Sequence, residues 1–196
     1  MTSLTILIPA AGAARRMRGG DKLLELVGDT PILRRQAQLA LTLPARVIVT
    51  LREDDAARQQ VLQGLAVTVL PIYAAAEGMS ASIRVAAANT DTALMILPAD
   101  MPDLTAQDLH TLIVAFDQNP ARIHRGAAAD GTPGHPVIFP ADLLPKLQEL
   151  HGDTGARAVL RRHQDRVSLV RLPSDHATTD LDTPEQWAAW RARIIR

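Results

Sequence analysis

The chain has 196 residues, 47% of them hydrophobic, and its 21 basic and 21 acidic side chains give a formal net charge of zero. This length fits roughly one globular domain, and the hydrophobic content is too high for a disordered chain. The charge balance argues against a protein that binds nucleic acid or a membrane surface, because such a protein needs an excess of positive charge. Because cysteine is absent, disulfides, iron–sulfur clusters, thiolate zinc sites and cysteine nucleophiles are excluded. We expect a cytoplasmic protein, since no targeting segment and no run of about 20 apolar residues is visible.

Short apolar runs alternate with helical patterns along the chain. The runs are residues 4–9, 46–51, 66–72, 93–98, 136–139 and 167–172. Several are apolar at successive positions, which is typical of parallel strands covered on both faces. Helix starts are predicted at Thr30-Pro31, at Thr105 with Asp108, at Asp153 and at Thr183-Pro184. This alternation predicts an α/β fold, an open and mostly parallel sheet with helices on both sides.

Residues 122–139 interrupt the alternation. The turn-forming run from Ala129 to Gly134 predicts a hairpin-like excursion that carries an antiparallel strand. Near the end of the chain, Trp187, Trp190 and Ile194 are spaced to form the packing face of a helix. No repeat, low-complexity tract or linker is found, so residues 1–196 are expected to form one domain.

The segment after the first strand combines small residues with basic ones. Small residues let the backbone approach a ligand, and backbone N–H groups can cradle phosphate oxygens. The spacings of a Walker loop and of a dinucleotide fingerprint are both missing. The residues alone leave two possibilities open, a phosphate-binding loop and a tight turn with solvated arginines. The residues concerned are Ala10, Ala11, Gly12, Arg15, Arg16, Arg18 and Lys22.

With Gly12, Arg16, Met17 and Lys22 in register, residues 9–24 resemble the signature of the nucleotidyltransferase superfamily. Residues 21–24 are most similar to the branch of molybdenum cofactor cytidylyltransferases and guanylyltransferases. Later segments agree with that branch in the same order, and the resemblance covers essentially the whole chain. They are residues 78–82, 98–102, 134–137, 152–157 and 180–185. The resemblance implies a Rossmann-like three-layer αβα nucleotidyltransferase domain.

The resemblance also implies catalytic and metal-binding roles. Asp100 follows a buried strand and would hold Mg²⁺ against a nucleoside triphosphate. A second metal contact would come from Asp182, with Asp180 as the alternative. Arg16 and Lys22 would stabilise the charge on the transferred and departing phosphates. Considered alone, the aspartates could instead cap a turn or favour a helix dipole, and the cations could be surface residues.

Substrate contacts are expected from three further places. The serines of residues 78–82 would contact the base or ribose of the nucleotide. His135 would orient the phosphate of the acceptor, and Asp153 would contact the pterin part of the acceptor. Each has a structural alternative, a helix cap for the serines and Asp153 and a structural or solvated role for His135. The full predicted substrate-binding set is Ala10, Ala11, Gly12, Arg16, Lys22, Gly78, Ser80, Ser82, His135 and Asp153.

The predicted activity is Mg²⁺-dependent transfer of CMP from CTP to the molybdopterin form of the molybdenum cofactor, with release of pyrophosphate. CTP is favoured over GTP because Ala10-Ala11-Gly12 and Asp180-Leu181-Asp182 resemble the cytidylyl branch, and because the Ala11 methyl would crowd a purine. Three alternatives stay open. They are GMP transfer from GTP, cytidylyl transfer to another phosphorylated acceptor such as an isoprenoid precursor, and a carrier or chaperone for a molybdenum hydroxylase. The missing dinucleotide fingerprint disfavours an oxidoreductase.

Overall fold

A seven-stranded sheet forms the centre of the structure, a computed structural model that describes residues 3–73, 78–152 and 155–194. The strands are β1 (Leu4–Pro9), β2 (Leu26–Val27), β3 (Thr30–Pro31), β4 (Arg46–Arg52), β5 (Thr68–Ile72), β6 (Ala93–Ile96), β7 (Ile123–Ala127), β8 (Pro133–Phe139) and β9 (Val167–Arg171). The α-helices are α1 (Ile32–Leu41), α2 (Ala56–Val61), α3 (Met79–Ala88), α4 (Ala106–Gln118), α5 (Leu144–Gln148), α6 (Arg157–Arg162) and α7 (Pro184–Ile194).

The strand order in the large sheet is β5-β4-β1-β6-β8-β7-β9, and β2 pairs separately with β3. Strand β8 runs antiparallel to both of its neighbours, whereas the other pairings in this sheet are parallel. The mostly parallel α/β sheet and the antiparallel excursion that the sequence predicted are therefore confirmed. Strand β8 begins at Pro133, ahead of the predicted start at residue 136, because the turn before it is shorter than the sequence indicated.

Helices cover both faces of the sheet. Ile6 and Ile8 pack in the cluster that contains α1, α4 and α7, whereas Leu7 packs in the cluster that contains α3, α5 and α6. Successive side chains of a strand point to opposite faces, so a strand buried on both faces is apolar at every position. This arrangement explains the continuous apolar runs in the sequence.

The predicted helix starts have mixed outcomes. The capping box at α4 is confirmed, since the Thr105 hydroxyl accepts a bond from the Asp108 amide at 3.2 Å and the Asp108 carboxylate accepts one from the Thr105 amide at 2.9 Å. The prediction for Thr30 is wrong, because Thr30 pairs with Val27 in a short strand and α1 begins after Pro31.

The last helix also differs in part from its prediction. Trp187 and Trp190 are buried in edge-to-face contact with ring centroids 5.9 Å apart, as the helical spacing indicated. Ile194 is 53% exposed, because it lies in the final turn beyond the edge of the core. Within the described ranges, no helix is long and apolar enough to cross a membrane.

At one edge of the sheet, the carboxyl ends of parallel strands lie beside the beginning of an antiparallel strand. Strands β1 and β6 are parallel, so both end at this edge, where ligands bind in open α/β sheets. Strand β8 runs the other way, with Val137 opposite Ile96, so its first residues lie at the carboxyl end of β6. The reversal therefore places His135 near the segment that carries Asp100.

Candidate active site

A cleft of about 520 Å³ lies at this edge of the sheet. Two groups of titratable side chains line it. The first group comprises Arg16, Lys22, Asp100, Asp180 and Asp182, and the second comprises Arg125, His135 and Arg157. The volume of the cleft falls within the range of about 300–1,000 Å³ that is usual for small-molecule sites. A more open cavity of about 650 Å³ lies between Leu26 and Ile194, away from these carboxylates, so we place the candidate site in the charged cleft.

Lys22 joins two carboxylates that are distant in the sequence. Its Nζ lies 2.5 Å from Asp100 Oδ2 and 2.6 Å from Asp182 Oδ1. Burial opposes the charge on Lys22, but the attraction of Asp100 and Asp182 outweighs it and raises the pKa of the ammonium. Arg16 adds a contact of 2.7 Å from its Nη1 to Asp182 Oδ2, although its side chain is largely exposed. The structure therefore brings Arg16, Lys22, Asp100 and Asp182 together, as the sequence predicted.

The two carboxylates also fit a divalent cation. Asp100 and Asp182 already converge on one cationic atom, and their side chains are only 16% and 12% exposed. Hard carboxylate oxygens are the ligands that Mg²⁺ and Mn²⁺ favour, and such ions commonly use one or two carboxylates together with substrate phosphates. Within residues 3–73, 78–152 and 155–194, no group of three or more metal-ligating side chains is preassembled. Asp100 and Asp182 could therefore serve as protein ligands, with further coordination from the nucleotide and water.

Asp180 lines the same cleft. Partial desolvation and the neighbouring carboxylates of Asp100 and Asp182 raise its pKa. The side chain of Asp182, unlike that of Asp180, is held by both Lys22 and Arg16. Asp182 therefore shares a cation with Asp100, and Asp180 adds negative charge beside them.

Arg58 anchors the loop after β1, a role that no sequence motif indicated. The side chain is buried, and its Nη1 donates to the carbonyl oxygens of Ala10 at 2.6 Å and Gly12 at 2.8 Å. Its Nε and Nη2 form a forked pair with the carboxylate of Asp21, each at 2.8 Å. Arg58 thereby fixes both ends of the segment that leads to Lys22.

The small residues of this loop have different environments. Ala11 is 2% exposed and packs with Ile72 and Ala81. Its methyl therefore lies in the protein interior, which removes the steric argument that it crowds a purine. Gly12 is exposed, and a Cβ added there would meet no protein atom within 4 Å, so a ligand could approach its backbone. Ala10 is buried, and its amide donates to the Thr50 carbonyl at 3.0 Å.

The serines of α3 do not line the cleft. Gly78 is the N-cap of this helix with φ 63°, and neither side chain of Ser80 or Ser82 is exposed. The Ser80 hydroxyl is buried without a hydrogen-bond partner among the described residues. Their position does not support the predicted contact with base or ribose, because both side chains are buried within the protein. Asp153 lies outside the described residues.

His135 lines the cleft near Asp100. Its amide donates to the Ala177 carbonyl at 2.8 Å, and its Nδ1 is buried without a partner in the described part of the chain. Burial and the charges of Arg125 and Arg157 lower its pKa to about 4, against the opposite effect of Asp100. The imidazole is therefore neutral at pH 7, so it can offer hydrogen bonds but no positive charge.

Gly134 permits the close approach that forms this wall of the cleft. A Cβ at this position would lie 1.8 Å from the carbonyl oxygen of Ala177. We expect Gly134→Ala to lower the free energy of unfolding by about 1–3 kcal/mol, because the backbone must move to relieve the clash. Urea unfolding measures the effect, with Gly12→Ala as a control in open space. Equal stability of Gly134→Ala and the original chain would contradict the packing described.

Comparison with known proteins identifies the family of this site. The sequence pattern of the family described as "MobA-like NTP transferase domain" matches residues 6–167. A probable molybdenum cofactor guanylyltransferase from Natronomonas pharaonis is 26% identical over 99% of this chain and 100% of that protein. A 3-deoxy-manno-octulosonate cytidylyltransferase from Xanthomonas campestris is 26% identical over 85% of this chain and 67% of that protein.

Solved structures share the fold of this chain. Rv0371c from Mycobacterium tuberculosis H37Rv has a TM-score of 0.80 and 26% identity, covering 96% of this chain and 98% of that chain. A structure of the same protein in complex with manganese has a TM-score of 0.76 and 25% identity, covering 96% and 97%. Nucleotidyltransferases of this type use a divalent metal ion, which agrees with the paired carboxylates. The chain belongs to the MobA-like NTP transferase family and is an enzyme of the nucleotidyltransferase type.

Proposed function

We propose that this enzyme transfers CMP from CTP to the molybdopterin form of the molybdenum cofactor and releases pyrophosphate. The observation that carries the proposal is the convergence of Lys22 and Arg16 on Asp100 and Asp182 in the charged cleft. This set can bind a metal–triphosphate and stabilise charge on its phosphates. The family and the name of the Natronomonas pharaonis relative support this choice of acceptor.

The transfer needs no covalent enzyme intermediate. An oxygen of the acceptor phosphate forms a bond to the α-phosphorus, and the bond from that phosphorus to the bridging oxygen of the β-phosphate breaks. Pyrophosphate leaves with the electron pair. Positioning and charge stabilisation therefore account for catalysis.

The residues of the cleft divide this work. Asp100 and Asp182 would hold Mg²⁺, which neutralises charge on the triphosphate when it is bound. Lys22 then supplies a point charge to a phosphate oxygen, and the Arg16 guanidinium supplies a forked contact. Both cations lie against the carboxylates, so they need only a short movement to reach a phosphate held there.

The choice of CTP has sequence support only. Ala10-Ala11-Gly12 and Asp180-Leu181-Asp182 resemble the cytidylyl branch, whereas the buried Ala11 methyl contributes no selection by size. The second candidate is GMP transfer from GTP, which the name of the Natronomonas pharaonis relative favours. We retain CTP because two separate segments of the chain agree on it.

The test measures pyrophosphate release with molybdopterin and either CTP or GTP, in the presence of Mg²⁺ or Mn²⁺. Release with CTP is expected to fall at least about 100-fold in Asp100→Asn, since a metal-binding charge is removed. Asp91→Asn is the matched control, because Asp91 is exposed and lies before β6 rather than after it. Its rate is expected to be unchanged.

Other results would redirect the assignment. Turnover with GTP alone would replace the cytidylyl proposal by the guanylyl one. Release that is insensitive to Asp100→Asn would refute the role of that carboxylate. No release with either nucleotide would point to another acceptor, with an isoprenoid precursor tried next. Tight molybdopterin binding without turnover on any acceptor would favour the carrier alternative.

A further inference from the structure

We propose that Arg125, Arg157 and His135 form an anion subsite that receives the phosphate monoester of the acceptor. This inference rests on the proposed function, because it assigns the part of the same cleft that does not hold the metal carboxylates. All three residues line the cleft, and they come from β7, α6 and β8. The subsite would therefore recognise the acceptor through a dianionic group.

The guanidinium groups of Arg125 and Arg157 line the same cleft, and among the described residues neither has a carboxylate partner. Burial, and then the charge of Arg157, lower the pKa of the Arg125 guanidinium. Within the described ranges, Arg125 donates to two main-chain carbonyls, from Nε to Gly134 at 2.9 Å and from Nη2 to Pro133 at 3.3 Å. Neither arginine forms an ion pair with any carboxylate of the described residues.

Among the described residues, the other two cations that line the cleft are paired with a carboxylate, which makes this exception informative. These cations are Arg16 and Lys22, and both contact Asp182. Adjacent like charges in a partly desolvated site are unfavourable unless an anion joins them. A phosphate monoester carries up to two negative charges and three acceptor oxygens, which match two guanidinium groups.

The Nδ1 atom of His135 supports the anion subsite independently of the two arginines. This atom is buried and lacks a hydrogen-bond partner among the described residues, although it belongs to a side chain that lines the cleft. Buried polar atoms are nearly always satisfied by protein, water or ligand. A phosphate oxygen that reached this atom would satisfy it when the ring carries the Nδ1 proton. The arginines would provide the charge, since the imidazole is neutral at pH 7.

The position of the subsite agrees with the chemistry. His135 and Asp100 line the same cleft, so an anion bound beside His135 would share the cleft with the carboxylate proposed to hold the metal. The acceptor oxygen then faces the α-phosphate that the metal and Lys22 would position. As a dianion it attacks without losing a proton, and no general base is required.

The experiment separates phosphate binding from turnover. Binding of phenyl phosphate is measured by calorimetry with the α,β-methylene analogue of CTP and Mg²⁺ present, so that the triphosphate position is filled. We expect Arg125→Gln and Arg157→Gln each to weaken phenyl phosphate binding at least about 10-fold, as loss of a charge-assisted bond predicts. Arg161→Gln is the matched control, because Arg161 is an exposed arginine on α6 outside the cleft. Arg125→Lys keeps the charge and provides a second variant if Arg125→Gln does not fold.

Kinetics with molybdopterin provide the second readout. The KM for the acceptor is expected to rise at least about 10-fold in both glutamine variants, with the KM for CTP within twofold of the original value. Unchanged phenyl phosphate binding in both variants would overturn the subsite. An increase confined to the KM for CTP would assign the arginines to the triphosphate instead. Benzoate binding as tight as phenyl phosphate binding would contradict recognition of a phosphate dianion.

Failure of the proposed function gives a different result. If the original chain binds phenyl phosphate in an Arg125-dependent manner but shows no turnover with molybdopterin, the acceptor assignment is wrong and the anion subsite stands. If molybdopterin turns over and the variants bind phenyl phosphate normally, the subsite is wrong and the transferase assignment stands.

Discussion

Arg58→Met is expected to lower the free energy of unfolding by about 3–5 kcal/mol. The Arg58 guanidinium is buried and compensates the carboxylate of Asp21 through a forked contact. Methionine would leave that carboxylate without its partner and the carbonyls of Ala10 and Gly12 without a donor. For a chain of this length, such a loss corresponds to a fall in Tm of roughly 10 °C. Urea unfolding and thermal melting measure the effect.

Arg34→Met is the matched control for this variant. Arg34 also donates to two main-chain carbonyls, those of Val61 at 2.7 Å and Gln63 at 3.0 Å, but it pairs with no carboxylate of the described residues. Its loss is expected to lower stability by only about 1 kcal/mol. Similar losses in the two variants would show that the carboxylate pairing of Arg58 contributes nothing special. Arg58→Lys should recover part of the stability, since it restores the charge but not the fork.

Arg58 shows what the sequence could not predict. It lies on a short helix between β4 and β5, in a stretch rich in Asp, Glu, Arg and Gln that is typical of a solvated surface. Its partners Ala10, Gly12 and Asp21 are more than 35 residues away along the chain. Burial of a cation at such a position depends on tertiary packing, which leaves no periodic signal in the local sequence.

The strands and the charged cleft were more predictable, for two different reasons. A strand buried on both faces must be apolar at successive positions, so the runs around β1, β4 and β6 could be identified directly. The convergence of Lys22, Asp100 and Asp182 was inferred from a family resemblance together with the rule that ligands bind at the carboxyl ends of parallel strands. Neither the apolar runs nor the family resemblance identifies the direction in which an individual side chain points.

Ser80, Ser82 and Ala11 illustrate this limit. The sequence placed them beside the site, and the structure buries all three side chains. Each residue of an α-helix rotates about 100° from its predecessor, so a helix start displaced by one residue changes which side chains face a ligand. Gly78 sets that start for α3, with a φ of 63° that the residue pattern alone does not specify.

Lys22→Ala is expected to change turnover and metal binding in opposite directions. The rate of pyrophosphate release should fall about 10²- to 10³-fold, because a fixed positive charge aimed at the phosphates is lost. Binding of Mn²⁺ without nucleotide should become tighter, since the ammonium of Lys22 occupies the same carboxylate oxygens of Asp100 and Asp182. Stopped reaction assays measure the first effect, and electron paramagnetic resonance of free Mn²⁺ measures the second.

The control for this variant is the other lysine of the chain, Lys146. It pairs with Glu149 at 2.9 Å on an exposed surface, so Lys146→Ala should change neither property. A purely structural role for Lys22 would lower stability and weaken Mn²⁺ binding together, because the carboxylates would lose their alignment. Tighter metal binding combined with slower turnover has a different meaning. It would show that Lys22 and the metal compete for one pair of carboxylates before the nucleotide binds, and that the lysine acts on the phosphates afterwards.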